Sequence, residues 1–373
     1  MRLRSLLLFS CLLPLVLAAA PRNDLTLNLE PTPENPRNSE GSFVTLKSGR
    51  IAFYYTHFYG GLHDNSSARI VAIHSDDDGL TWSEPRTIAE KGAAENVMSV
   101  SLLRLASGKL ALFYVVKNSG LDCGPYLSLS TDEGETWSEP ARIIDAPGYF
   151  VLNNDRVIQT RKGRLIVPVA FNRLLRREPS GHDERQRLND IRGIALWYYS
   201  DDEGKTWKEA NSVWAMPVPS RRGLQEPGVV ELSDGSLFSW VRTDQGSQWG
   251  FRSTDGGLNW TPPRPTELKS PVSPASIKRL PDSDALLAIY NDHSGQVPFT
   301  PKRRTPLVAS ISQDGGKTWP QRKVIEDSPA EWYCYTAIHF TPEAVLLAYC
   351  AGDEQVGLLA RLRIRRIERA WLP

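Results

Sequence analysis

The chain repeatedly alternates a short polar turn with a run of apolar and β-branched residues. Six such stretches begin at residues 46, 105, 160, 232, 280 and 340, and read LKSGRIAFYY, LASGKLALFYV, TRKGRLIVPVA, LSDGSLFSWVR, LPDSDALLAIY and FTPEAVLLAYC. Each stretch is explained by a strand end, a turn and a second, buried strand. No segment keeps the periodicity of an amphipathic helix. The pattern therefore predicts an all-β protein made of six similar units.

A second repeat, with the pattern Ser-x-Asp-x-Gly-x-Thr-Trp, is interleaved with the first. Its five copies begin at residues 75, 130, 200, 253 and 312, and read SDDDGLTW, STDEGETW, SDDEGKTW, STDGGLNW and SQDGGKTW. An aspartate that accepts backbone hydrogen bonds, followed by a glycine with positive φ, is typical of a tight turn. A calcium loop needs several acidic oxygens in every copy, whereas SQDGGKTW keeps a single acid. We therefore predict structural turns on the outside of the units, far from the centre, with each tryptophan packed between units.

The spacing of the two repeats predicts the architecture. Successive aspartate turns begin 55, 70, 53 and 59 residues apart, which is a period typical of repeat folds. Six four-stranded units of this size predict a six-bladed β-propeller, as a single domain over residues 21–373. The sixth unit ends in VGLLARLRIRRI without an aspartate turn, and we expect LTLNLE near the N-terminus to pair with it and close the ring.

The longest interval between aspartate turns contains a polar and basic segment. It reads NRLLRREPSGHDERQRLNDIRG at residues 172–193 and has few residues that favour strands. We expect a long loop in the third unit, positioned over the site.

The N-terminus has the composition of a secretory signal. A basic MRLRS precedes the apolar run LLLFSCLLPLVL, which is too short to span a bilayer comfortably, and small residues follow near Ala18 to Ala20. We expect residues 1–20 to be removed and the mature protein to be secreted or periplasmic, without stable membrane insertion. A retained N-terminal anchor is the alternative.

Net charge and cysteine content exclude several classes of partner and site. The formal net charge is +1, so we expect no nucleic-acid partner. The cysteines outside the signal are Cys123, Cys334 and Cys350, an odd number without metal-ligand spacing. Cys334 and Cys350 flank the proposed turn of the sixth unit, so we expect them to lie close together without forming a disulfide. We also expect a monomer.

The aspartate turns and the propeller pattern together resemble the sialidase (neuraminidase) superfamily, in which such turns are called Asp-boxes. The resemblance extends over roughly residues 35–370. It implies a retaining, exo-acting glycoside hydrolase that needs no cofactor or metal and removes terminal sialic acid, or a related acidic sugar such as a uronic acid, from a glycan. Asp-boxes mark a fold rather than a chemistry, and they also occur in non-enzymatic propellers such as sortilin-type receptors. A propeller that binds glycans or a protein partner without catalysis is therefore the alternative.

The superfamily site combines three arginines, a tyrosine–glutamate pair and an aspartate. Three guanidinium groups bind the carboxylate that sialic acid carries on its anomeric carbon. That carboxylate would repel an anionic nucleophile, which favours a neutral tyrosine activated by a glutamate base. The aspartate protonates the leaving oxygen as general acid.

Motifs in this chain resemble those that carry these roles. LQEPGVVELSDGSLFSWVR resembles the stretch with the activating glutamate, here Glu226, and the second arginine, Arg242. RTPLVASISQDGGKTW resembles the strand that carries the third arginine before an Asp-box, here Arg304. WYCYTAIHF resembles the nucleophile strand, with Tyr335 in that place, and HDNSSARIVAIHSDDDG resembles the loop of the general acid, here Asp64.

The candidate for the first arginine is Arg37. It is followed by Asn-Ser-Glu instead of the Ile-Pro of the sialidase signature, and Glu40 has no counterpart there. Three alternatives remain open: Tyr333 as nucleophile, His63 as proton donor, and the polar cluster NNDR at residues 153–156 as a binding site for sugar hydroxyls.

Overall fold

The computed structural model describes residues 24–175, 189–281 and 283–373. These residues form 25 strands and a short 3-10 turn at Arg369–Trp371, which confirms the all-β prediction. Among them, no helix has the length and apolar character needed to cross a bilayer. The expected signal, residues 1–20, and residues 176–188 of the expected loop lie outside the described residues.

The strands form the six blades of a propeller. The first strands of blades 4, 5, 6, 1 and 2 contact one another in turn, and blade 3 contacts blades 2 and 4 and so completes the ring. The N-terminal strand is β1 (Leu25–Leu29). Blade 1 consists of β2 (Arg37–Thr45), β3 (Ile51–Phe58), β4 (Ala68–Ser75) and β5 (Arg86–Ala89). Blade 2 consists of β6 (Asn96–Arg104), β7 (Leu110–Lys117), β8 (Cys123–Ser130) and β9 (Ala141–Arg142). Blade 3 consists of β10 (Tyr149–Val151), β11 (Ile158–Gln159), β12 (Leu165–Asn172), β13 (Ile194–Ser200) and β14 (Lys208–Glu209).

Blade 4 consists of β15 (Gln225–Glu231), β16 (Leu237–Arg242), β17 (Ser247–Ser253) and β18 (Arg264–Lys269). Blade 5 consists of β19 (Ser276–Arg279), β20 (Leu286–Asn291), β21 (Leu307–Ser312) and β22 (Lys323–Glu326). Blade 6 consists of β23 (Trp332–Phe340), β24 (Ala344–Gly352) and β25 (Leu362–Glu368).

The N-terminal strand completes the last blade. β1 pairs antiparallel with β25, with Leu27 opposite Ile364 and Leu29 opposite Leu362. Blade 6 is therefore built from both ends of the chain, and the expected pairing of LTLNLE with the last unit is confirmed.

Packing between blades explains the apolar runs of the sequence. β3 and β24 are buried along their whole length, because neighbouring blades cover both faces of each sheet. Strands covered on both faces are continuously apolar rather than alternating. Asp-box tryptophans fill the space between blades, as expected: Trp137 packs on Tyr54 of blade 1 with ring centroids 5.9 Å apart, and Trp260 on Trp197 of blade 3 at 4.5 Å.

The five Asp-boxes connect the third to the outermost strand of blades 1 to 5. In the first, Asp77 Oδ1 accepts hydrogen bonds from Ser75 Oγ and the Thr81 backbone N, each at 2.8 Å, and Oδ2 accepts from Thr81 Oγ1 at 2.6 Å. The same bonds recur at Asp132, Asp202, Asp255 and Asp314, with Asn259 in place of threonine in the fourth copy. Each aspartate is thus satisfied within its own turn, which confirms the prediction of structural turns on the outside of the blades.

Two of the cysteines are direct neighbours. Cys334 on β23 pairs with Cys350 on β24, and both thiols are buried and free. The expected proximity of Cys334 and Cys350 is confirmed.

Candidate active site

Irregularities on the inner strands bring four side chains to one cavity. Strand pairing shifts register in β2, β6, β15 and β23. Within each shift one residue has a positive φ: Glu40 (53°), Ser99 (63°), Glu226 (51°) and Tyr335 (58°). A bulge of this kind redirects a side chain, and these four residues line a cavity of about 510 Å³. Non-glycine residues in this conformation cost roughly 1–3 kcal/mol each and cluster at functional sites.

In blade 3, Asp155 has a positive φ of 57°, and its side chain bonds to neighbouring blades. Its Oδ1 accepts hydrogen bonds from Ser42 Oγ at 2.9 Å and from Lys278 Nζ at 2.8 Å. Its Oδ2 accepts from the backbone N of Ile338 at 3.0 Å. One carboxylate thus connects blade 3 to blades 1, 5 and 6 and fixes the relative positions of their inner strands.

Tyr335 and Glu226 meet in the cavity, although 109 residues separate them in the chain. The Tyr335 hydroxyl donates to Glu226 Oε1 at 3.3 Å, and Arg242 Nη1 donates to the same oxygen at 2.7 Å. Burial raises the pKa of Tyr335 well above its usual value, and the charge of Glu226 adds to this shift while Arg304 and Arg242 oppose it. The phenol is therefore neutral at rest, and a role as nucleophile would require a base such as Glu226.

Arg242 and Arg304 flank this pair with unsatisfied donors. Nε of Arg242, and Nε and Nη1 of Arg304, are buried and have no hydrogen-bond partner among the described residues. Cζ of Arg304 lies 5.4 Å from the centroid of the Tyr335 ring. Burial alone would lower the pKa of Arg242, but the negative charge of Glu226 raises it. Buried charged donors without partners are costly, so their presence indicates a place for an anionic ligand.

Arg37 and Asp64 form an ion pair at the same cavity. Arg37 is buried at the start of β2, with Cζ 4.4 Å from the centroid of the Phe58 ring. Its Nη1 donates to Asp64 Oδ1 at 2.7 Å and to the backbone O of Leu62 at 3.1 Å. Burial would raise the pKa of Asp64, but the neighbouring charge of Arg37 brings it below its usual value. Asp64 is therefore ionised at rest and forms an ion pair with Arg37.

Glu40 is a further carboxyl in the cavity, and the motif comparison assigned it no role. Ser99 Oγ donates to Glu40 Oε2, and Oε1 lies 3.5 Å from Nη2 of Arg37. Burial raises the pKa of Glu40 to about 7, and the charge of Arg37 only partly opposes this shift. Glu40 thus changes its protonation state near neutral pH. The sequence pointed to Glu40 only as an acidic residue on an inner strand, where burying a carboxylate without a partner would be costly.

The two alternative catalytic candidates do not line the cavity. Tyr333 is fully buried, its hydroxyl donates to Glu331 Oε2 at 2.7 Å, and its ring packs against Tyr349 at 6.2 Å. In the loop of blade 1, the cavity is lined by Asp64 and not by its neighbour His63. The geometry therefore favours Tyr335 over Tyr333, and Asp64 over His63.

The residues of the polar cluster at 153–156 have different surroundings. Asn153 lines the cavity. Asn154 Nδ2 donates to the backbone O of Gly41 at 2.9 Å and of Tyr335 at 3.1 Å, which supports the nucleophile strand. Arg156 is 1% exposed, and its guanidinium nitrogens have no hydrogen-bond partner among the described residues. Burial lowers the pKa of Arg156 to about 10, so the group stays protonated.

Blades 2 and 3 complete the cavity wall with residues that motif comparison did not identify. Lys117 ends β7 inside the wall, and its Nζ donates to the backbone O of Asp64 at 2.6 Å. A lysine that ends an otherwise apolar strand was the signal for it. Asn172 and Asn189, at the described ends of the expected loop, also line the cavity. The loop therefore starts and finishes at the site.

Comparison with known proteins identifies the family of the chain and its similarity to sialidases. Residues 52–347 match the family model of the BNR repeat-like domain. A sialidase of Bacteroides fragilis (strain YCH46) is 30% identical over 219 residues, which cover 55% of this chain and 35% of the relative. A sialidase of Micromonospora viridifaciens is 26% identical over 306 residues, which cover 72% of this chain and 43% of the relative. The chain thus spans less than half the length of these curated relatives.

Solved structures share the fold at low identity. The intramolecular trans-sialidase from Ruminococcus gnavus, solved with oseltamivir carboxylate, has a TM-score of 0.71 and 17% identity, and the match covers 95% of this chain and 99% of that one. The Hadza microbial sialidase Hz136 has a TM-score of 0.70 and 20% identity, with 91% of this chain and 67% of that one covered. The chain therefore belongs to the BNR repeat-like domain family and, with it, to the sialidase superfamily.

Proposed function

We propose that the protein is an exported, exo-acting glycoside hydrolase that removes terminal sialic acid, or a related acidic sugar, from glycans with retention of configuration. The observation that carries the proposal is the 3.3 Å hydrogen bond from Tyr335 to Glu226, made between two blades and beside buried guanidinium donors without partners. The curated relatives named as sialidases support the substrate class.

Substrate binding begins with the carboxylate. The unsatisfied donors of Arg242 and Arg304 bind it, and Arg37 joins them when the carboxylate displaces Asp64 from its 2.7 Å ion pair. Loss of this cationic partner removes the main cause that lowers the pKa of Asp64. Asp64 then takes up the proton that general acid catalysis requires.

The first chemical step forms a glycosyl-tyrosine. The Tyr335 oxygen attacks the anomeric carbon while its proton passes to Glu226, and the bond to the leaving oxygen breaks as Asp64 donates its proton. In the second step, water attacks the same carbon and gives a proton to Asp64, while Tyr335 leaves and recovers its proton from Glu226. Two displacements at one carbon retain its configuration.

The proposal is tested by assaying purified protein on a panel of aryl glycosides of acidic sugars, with product anomers identified by NMR before they equilibrate. We expect hydrolysis of at least one acidic glycoside with retention. Tyr335→Phe removes the attacking oxygen but keeps the ring, so turnover should fall at least ~1,000-fold while the fold persists. The matched control is Tyr333→Phe, in the adjacent core, which should stay active. Near-normal turnover by Tyr335→Phe would show the mechanism to be wrong.

The non-catalytic alternative has its own outcome in the same experiment. If the panel is not hydrolysed but acidic glycans bind by calorimetry, the propeller is a glycan-binding protein. Export rests on the signal composition of residues 1–20, and mass spectrometry of the mature N-terminus tests it. We further propose a monomer, which light scattering tests.

A further inference from the structure

A second cavity, of about 480 Å³, adjoins the first. Arg222 and Arg242 line both cavities, so the two are contiguous across blade 4. Arg304 lines the second cavity, and its Cζ lies 5.4 Å from the centroid of the Tyr335 ring. Arg242 and Arg304, two of the three arginines that bind the substrate carboxylate in the proposed function, therefore lie between the two cavities.

The second cavity carries positive charge. Lys302 and Arg304, from the segment before β21, face Arg222 and Arg242 of blade 4 across it. Lys302 is exposed and makes no ion pair within the described part of the chain. Cations grouped in this way favour an anionic group on the ligand.

The acid in this lining is already satisfied. Asp244 Oδ1 accepts a hydrogen bond from Ser220 Oγ at 2.6 Å, and its Oδ2 accepts from the backbone N of Arg221 at 2.8 Å. Its role is therefore to order the loop before β15, and it does not neutralise Lys302.

Aromatic rings form one wall of the same cavity. Phe299 is 39% exposed and stacks on His293 with ring centroids 4.4 Å apart. Burial lowers the pKa of His293, so this ring is neutral at pH 7 and acts as a support for Phe299. Trp332 adds a second ring beside Arg304, with the guanidinium carbon 5.6 Å from its centroid. Exposed aromatic faces beside a few charged groups are typical of sites for ring-shaped polar ligands.

We propose that the second cavity binds the sugar on the leaving side of the scissile bond and selects an acidic one. The inference rests on the proposed function, because the carboxylate and the glycosidic oxygen of a sialoside share one carbon. When Arg242 and Arg304 hold that carboxylate, the leaving sugar emerges beside the cavity that these arginines line. The substrate class is an oligosaccharide in which the terminal acidic sugar is joined to a second sugar that carries a carboxylate or a sulfate.

The test compares kcat/KM for a dimer of sialic acid, a sulfated sialyllactose and neutral sialyllactose. We expect the acidic substrates to be preferred by roughly tenfold, because a second anionic group meets the cations of the cavity. The dimer and the sulfated substrate distinguish a preference for carboxylate from one for sulfate. Lys302→Gln should abolish most of the preference and leave an aryl sialoside, which has no second sugar, unaffected. Lys317→Gln, on the exposed turn of the fifth Asp-box, is the matched control and should change neither.

A binding measurement keeps the two proposals distinguishable. Calorimetry on Tyr335→Phe needs no turnover, and the sialic acid dimer should bind it several-fold more tightly than methyl sialoside. Both Lys302→Gln and Phe299→Ala, introduced into Tyr335→Phe, should reduce this difference. If the dimer and methyl sialoside bind equally, or if Lys302→Gln leaves the preference intact, the second cavity has no such role. If the dimer binds as expected but no sialoside is hydrolysed, the hydrolase proposal fails and the acidic second subsite stands.

Discussion

The carboxylate of Asp64 lies 2.7 Å from Nη1 of Arg37, so the candidate general acid is the counter-ion of a candidate substrate-binding arginine. In the proposed mechanism, a substrate carboxylate that binds Arg37 replaces Asp64 as its partner. The proton affinity of Asp64 would then rise when the site is filled, which would couple proton donation to the arrival of an acidic sugar.

Removing the carboxyl group of Asp64 should slow the hydrolysis of different substrates to different extents, depending on their leaving group. Asp64→Asn keeps the shape and loses the proton, so we expect kcat/KM for a glycan to fall by roughly 100-fold or more. An aryl glycoside with an acidic phenol as leaving group needs little protonation and should lose far less. Steady-state kinetics on both substrate types measure the difference. Equal losses on both would indicate that Asp64 acts only by holding Arg37.

The third arginine should be sensitive to shape as well as to charge. Arg304→Lys keeps a cation but loses the planar fork that binds both carboxylate oxygens. We expect KM for an acidic glycoside to rise by roughly tenfold. Arg303→Lys is the matched control, because Arg303 pairs with the exposed Glu354 at 2.7 Å. Similar kinetics for the two variants would contradict the assignment of Arg304.

Glu40 should make the stability of the fold depend on pH in a defined direction. Its pKa is raised from 4.5 to about 7 in the folded protein, so the folded state keeps a proton that the unfolded chain releases. The stabilisation is fully present below pH ~4.5 and is lost as the pH rises through about 7, by about 3 kcal/mol in total. The Glu40→Gln variant lacks this titration, so its stability relative to wild type should increase by that amount across the interval.

Denaturant unfolding of both proteins between pH 4 and 8 measures this effect. Glu139→Gln, at an exposed position after the second Asp-box, is the control and should run parallel to wild type. Parallel curves for Glu40→Gln and wild type would mean that Glu40 does not titrate as described.

The Asp-boxes should matter for stability and not for chemistry. Asp314→Ala removes the acceptor for Ser312 Oγ, Thr318 N and Thr318 Oγ1, so unfolding should become easier by about 1–3 kcal/mol. Kinetic constants should stay close to wild type, and a chelator should leave the melting temperature unchanged. A melting temperature that falls on chelation would identify these turns as metal sites.

The fold was predictable from the sequence because every blade repeats the same pattern of a strand, a turn and a second, buried strand. The turn at Asp77 and its copies, and the buried run that contains Tyr54, each specify one hairpin. Ring closure then follows from the number of units, and even the pairing of β1 with β25 could be foreseen from an isolated strand near the N-terminus.

The candidate site was predictable only where a motif carries the residue. Tyr335 and Glu226 belong to such motifs, and the structure brings them together. The pairing of Arg37 with Asp64 and the raised pKa of Glu40 depend on contacts across blades. Register shifts on the inner strands decide which side chains meet there. No local pattern specifies those shifts. The sequence shows Glu40 as an acid on an inner strand and Lys117 as a lysine that ends an otherwise apolar strand, but only the three-dimensional structure assigns them to the site.

The strand β1, near the N-terminus, lies in the same sheet as the strand that carries Tyr335. β25 begins at Leu362, so β1 cannot pair with it until β25 has been synthesised. Pairing over such a separation slows folding, and it leaves strand edges open that can join a second molecule. If β1 detaches, the outer edge of β25 is exposed in the same sheet as β23, which carries Tyr335. The pairing of β1 with β25 therefore closes the ring and also stabilises the sheet that positions Tyr335.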